Sequence, residues 1–116
     1  MSDKEQFEQL SLSFSNQQNN VNELLTARSQ LETQYQENKI VLAEFEHLND
    51  ESKIYKLTGP VLMPQEYGEA KMNVTKRLEF IESEIKRVEA KIGDEEKNME
   101  STRNKLLEIR AKINGE

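Results

Sequence analysis

Few side chains in this chain could carry chemistry, and they are scattered. The one histidine, His47, stands beside Phe45 and Glu46, with nothing nearby to complete a triad or a metal site. It reads as a surface histidine. Glu44 with Glu46, and Glu95 with Glu96, are carboxylate pairs of the kind any highly charged helix contains, so they read as solvated faces rather than acid–base dyads. The four glycines, Gly59, Gly68, Gly93 and Gly115, are too dispersed to form a phosphate-cradling loop. Cysteine is absent, which removes disulfides, thiol chemistry and cysteine-ligated zinc. The residues therefore predict no enzyme, no cofactor and no metal.

Without a site to position, the composition has to be explained by architecture. Charged residues make up 33% of the 116 and the apolar set 34%, with no tryptophan. That is too little apolar material for a thick core, and it suits long helices that bury one narrow seam. The net charge of −6 sits in the first fifty residues, where nine acidic side chains face three basic ones; residues 51–116 hold thirteen of each. An acidic first half argues against nucleic acid, because phosphate binding needs concentrated Lys and Arg. No apolar run approaches the roughly 18 residues of a membrane span, and the opening Met-Ser-Asp-Lys-Glu-Gln has no apolar core of a signal peptide. The expected compartment is cytoplasmic, with no membrane partner.

Two heptad ladders supply the seam. The first runs Phe7, Leu10, Phe14, Gln17, Val21, Leu24, Arg28, Leu31, Tyr35, Asn38, Leu42, Phe45. The second runs Val74, Leu78, Ile81, Ile85, Val88, Ile92, Glu95, Met99, Thr102, Leu106, Ile109, Ile113. Steps of three and four keep one stripe facing a partner helix while both supercoil. Ser2-Asp3-Lys4-Glu5 has the form of a capping box. Residues 11–20, rich in Ser and Asn, should be the weakest stretch of the first helix, since such side chains compete for backbone hydrogen bonds. Gly93 falls beside the seam and costs roughly 1 kcal/mol relative to Ala without ending the helix.

Between the ladders the period changes. Lys53-Ile54-Tyr55-Lys56-Leu57 and Val61-Leu62-Met63 are short β-prone runs around Thr58-Gly59-Pro60, which has turn chemistry. The expected fold is mainly α: a helix over 1–50, a β-hairpin over 53–64 and a helix over 65–114, in a single domain whose helices form an antiparallel two-helix coiled coil. A lone two-stranded hairpin is marginal in water, so Ile54, Tyr55, Leu57, Val61, Leu62 and Met63 should be covered by other subunits.

Two registers match the ladders. One sets Arg28 against Val88. The other sets Arg28 against Glu95, Leu31 against Ile92 and Phe45 against Leu78. The second is expected, because it joins two polar interruptions and avoids leaving a partly buried charge alone. The polar seam residues Gln17, Arg28, Asn38, Glu95 and Thr102 either help set register or reach out to solvent. At the free end, Phe7, Leu10, Leu12 and Phe14 meet Leu106, Leu107, Ile109 and Ile113. They read either as ordinary coiled-coil core with two surface leucines, Leu12 and Leu107, or as a frayed apolar tip that grips a ligand.

The segment Ile54-Tyr55-Lys56-Leu57-Thr58-Gly59-Pro60-Val61-Leu62, followed by Asn73-Val74-Thr75-Lys76-Arg77-Leu78-Glu79-Phe80-Ile81-Glu82, resembles the β-class prefoldin subunits. Leu31-Glu32-Thr33-Gln34-Tyr35-Gln36-Glu37-Asn38 with Glu44-Phe45 is similar to the sixth-subunit branch of the eukaryotic family. The resemblance covers nearly the whole chain and is most specific over residues 31–82. It implies a subunit of a heterohexamer of two α-class and four β-class chains, whose hairpins join into β-barrels and whose coiled-coil arms hold non-native proteins without ATP. It further implies actin and tubulin as clients and the group II chaperonin as recipient. The tip residues named above would then contact clients. A structural or tethering coiled coil is the alternative, and the paired β-prone runs count against it, since a tether needs only heptads.

Overall fold

A computed structural model describes residues 2–47 and 64–115, apart from the side chains of residues 64–66. The expected β-hairpin and its six assembly residues, Ile54, Tyr55, Leu57, Val61, Leu62 and Met63, lie outside the described residues. Among the described residues the chain is all helix: α1 spans Asp3–His47 and α2 spans Pro64–Gly115. They pack together as a coiled coil.

The helix ends follow from local chemistry. The Ser2 hydroxyl accepts the Glu5 amide at 3.2 Å and the Ser2 carbonyl accepts the Gln6 amide at 3.0 Å. Ser2 is thus the N-cap and satisfies donors that the first turn leaves over. Asp3 and Glu5 add negative charge where the helix dipole is positive. α2 opens on Pro64, whose missing N–H is not needed at a first helical position. Gly93 sits inside α2, and a Cβ built there meets no atom within 4 Å. The helix tolerates it because a single glycine costs only about 1 kcal/mol.

The chain divides into two compact units, one formed by residues 1–28 with 87–116 and the other by residues 29–86. In the first, Val21, Val88, Ile92 and Thr102 are buried. In the second, Tyr67, Val74, Leu78 and Ile81 are buried. Every position of both heptad ladders is buried or half-buried, while the intervening positions are mostly exposed. The seam is therefore one residue wide, and each fully buried aliphatic contributes roughly 1.5–3 kcal/mol.

The register differs from the expected one. Phe45 packs against Tyr67, not Leu78; the two positions on α2 are eleven residues apart, about 16 Å of helix. In the first unit Glu95 shares a depression with Asn20, Glu23 and Leu24 rather than with Arg28. Both observations fit the ladder that sets Leu24 against Ile92 and Arg28 against Val88. The expectation gave weight to pairing the polar interruptions Arg28 and Glu95, but two other polar seam residues are satisfied without any partner across the seam. Asn38 donates from Nδ2 to the Gln34 carbonyl at 2.8 Å, and the Thr102 hydroxyl donates to the Asn98 carbonyl at 3.0 Å. Each is satisfied on its own helix and places no demand on the partner.

Candidate functional site

The candidate surface lies in the first unit, where the start of α1 meets the end of α2. The two segments run antiparallel. Phe7 lies beside Arg110 and Ile113, Leu10 beside Ile109, and Leu24 beside Lys91 and Asp94, so rising numbers on α1 meet falling numbers on α2. Seven of the eight residues expected at the tip are brought together in three adjacent depressions. Phe7, Phe14, Leu106 and Leu107 line a groove of about 290 Å³ with Arg103 and Arg110. Leu10 and Ile109 lie among Gln6, Gln9, Ser13 and Lys105 in a second depression. Ile113 joins Phe7 in the third. The eighth, Leu12, lines none of them and points outward, 64% exposed.

Burial separates these residues by role. Phe7, Leu10, Phe14, Leu106, Ile109 and Ile113 are half-buried, and none reaches the burial of Val21 or Ile92 in the same unit. Leu107 is 54% exposed. A seam between two helices shields only the inner edge of each side chain, so these positions keep apolar area facing water. Nearby, Gln17 holds its Oε1 buried with no hydrogen-bond partner among the described residues. An acceptor stripped of water and left unpaired weakens the packing around it.

The residues weighed for catalysis do not assemble. His47, Glu44 and Glu46 are exposed near the end of α1 in the second unit, while Glu95 and Glu96 belong to the first. Among the described residues no group of three or more His, Cys, Asp or Glu could hold a metal ion. No described helix is long and apolar enough to cross a membrane.

Tyr67 was missed by the sequence reading. It is 8% exposed, its ring meets Phe45 edge to face, and its hydroxyl donates to the Phe45 carbonyl oxygen. The signal was present: Tyr67 stands one heptad before Val74, so the second ladder extends one repeat further toward the start of α2 than its aliphatic members indicate.

Residues 8–112 match the family model described as prefoldin subunit. The chain is 51% identical to prefoldin subunit 6 of Saccharomyces cerevisiae over 92 residues, covering 79% of this chain and 81% of the relative. It is 48% identical to a probable prefoldin subunit 6 of Caenorhabditis briggsae over 84 residues, 72% of this chain and 66% of the relative. It is 40% identical to human prefoldin subunit 6 over 92 residues, 79% of this chain and 71% of the relative. No solved structure matches.

Proposed function

The chain belongs to the prefoldin subunit family, and from that membership we propose that it is a β-class subunit of a hexameric, ATP-independent holding chaperone. Prefoldin subunits are chaperones rather than enzymes, and they work in assembly with other prefoldin subunits. In the proposed reading the other five chains are α- and β-class prefoldin subunits. The ends of the coiled-coil arms capture non-native proteins, actin and tubulin among them, and pass them to the cytosolic group II chaperonin.

The observation that carries this reading is the family match over residues 8–112, which takes in both ladders apart from their outermost members, Phe7 and Ile113, and the segment between them. The apolar end of the first unit supports the client-binding part. Unfolded chains expose apolar groups in no fixed geometry, so a site that holds them should be apolar and adaptable rather than a shaped pocket. Phe7, Leu10, Leu12 and Phe14, with Leu106, Leu107, Ile109 and Ile113, supply such a surface. Each contact needs to contribute only ~1–3 kcal/mol. Several arms engaging one client raise the effective concentration of the rest.

Assembly rests in this proposal on Ile54, Tyr55, Leu57, Val61, Leu62 and Met63, whose apolar side chains would be covered by neighbouring subunits. Two measurements test the reading. Affinity purification of the tagged chain from native cytosol should recover five other prefoldin subunits, and Leu57→Lys with Leu62→Lys should abolish that recovery. The assembled complex, without nucleotide, should suppress light scattering when denatured actin is diluted into buffer. Purification of the chain alone, or scattering unchanged by the complex, would refute it.

A further inference from the structure

We infer that the groove lined by Phe7, Phe14, Leu106 and Leu107 selects apolar client segments flanked by carboxylates, and that Arg103 and Arg110 are the residues that make the selection. The inference rests on the client-binding reading above and adds a chemical class to it.

Arg103 and Arg110 both line this groove. They are exposed and stand seven residues apart, each one position after a seam residue, Thr102 or Ile109. They therefore occupy the same edge of α2 in successive heptads. Positions flanking a coiled-coil seam commonly carry opposite charges that pair across the helices. On α1, Ser11 follows the seam residue Leu10 and Lys4 stands one heptad before Ser11, so the chain offers no carboxylate at either equivalent position. Glu8 is the acidic residue that lines this end with Arg110, and Lys4 lines it too. Neither Arg103 nor Arg110 has an ion-pair partner among the described residues. The groove with its rim keeps a positive excess in a chain whose net charge is −6.

The opposite side of the same helix ends differs. There Gln6, Gln9 and Ser13 face Lys105, Glu108 and Lys112, with only Leu10 and Ile109 apolar. Aromatic and aliphatic area is thus joined to unpaired guanidinium groups on one side alone. Guanidinium is planar and weakly hydrated, and it forms forked hydrogen bonds to carboxylate more readily than ammonium does. An extended segment whose apolar side chains enter the groove places its flanking Asp or Glu at the two arginines.

The test uses the assembled complex. Leu107 of this chain is replaced by a photoreactive phenylalanine analogue, so that labelling reports on this arm whatever the other subunits do. Two labelled peptides share one Leu/Phe/Val core and differ in their flanks, Asp/Glu in one and Lys in the other. The acid-flanked peptide should label position 107 about five-fold more strongly at low salt, the scale of two exposed ion pairs, with the ratio falling as salt rises. Arg103→Gln with Arg110→Gln should bring the ratio to about one, and Lys105→Gln with Lys112→Gln on the opposite side should leave it unchanged. Equal labelling by both peptides in the unmodified rim, or equal loss of the ratio in the lysine variant, would overturn the charge selection alone. Labelling by neither peptide would overturn the client-binding reading and this inference with it.

Discussion

Tyr67 packs edge to face on Phe45, with ring centroids 5.5 Å apart and planes inclined at 61°, and its hydroxyl donates to the Phe45 carbonyl oxygen. One side chain thus supplies aromatic contact and a hydrogen bond between the end of α1 and the start of α2. Tyr67→Phe keeps the ring and removes the bond, at an expected cost of about 1 kcal/mol. Tyr67→Ala also removes the ring from a buried position, at about 3 kcal/mol or more. Urea unfolding of the full chain followed by circular dichroism should rank the three proteins in that order. Equal midpoints for all three would show that the contact contributes nothing.

The same contact bears on register, and a cysteine-free chain allows a direct check. Leu24→Cys with Ile92→Cys should form a disulfide on mild oxidation. Leu24→Cys with Met99→Cys should not, because Met99 lies one heptad further along α2, about 10 Å away along the helix, beyond the ~7 Å that a disulfide spans between Cα atoms. Non-reducing electrophoresis separates the outcomes. Efficient closure of the second pair, with none of the first, would restore the register that pairs Arg28 with Glu95.

Gln17 gives a prediction of opposite sign. Its Oε1 is buried without a partner among the described residues, so the glutamine withholds stability from the first unit. Gln17→Leu should stabilise the chain by about 1 kcal/mol, since it removes an unpaired polar group and adds apolar contact. Hydrogen exchange should slow around residues 10–24, with little change over residues 29–86. Faster exchange in the variant would mean that the amide is satisfied in solution.

The sequence made the seam legible, because a heptad pattern states which face a helix buries. All the ladder positions from Phe7 to Phe45 and from Val74 to Ile113 are buried or half-buried. Ser2 was legible as a cap for the same local reason, through its spacing from Glu5. Register was not, because a ladder repeats every seven residues and two alignments satisfy it equally. The choice depended on Glu95 and Arg28, whereas Asn38 and Thr102 show how seam polar groups can turn to their own helix and leave the alignment to others. Tyr67 escaped because its nearest apolar neighbour in the ladder, Val74, is a full heptad away, with Lys71 filling the position between. At the helix ends, seven of the eight apolar residues were legible as neighbours and Leu12 was not, while the one-sided placement of Arg103 and Arg110 beside them appears only once the partner helix is in place.

The central claim is that the apolar helix ends hold non-native protein while other parts of the chain hold the assembly together. The most direct measurement is light scattering of denatured client diluted into a reconstituted hexamer in which this chain lacks residues 1–14 and 106–116 and the other subunits lack the corresponding ends. The six chains should still co-elute as a complex, and suppression of aggregation should be lost. An intact truncated hexamer that suppressed aggregation as well as the full-length one would contradict that claim.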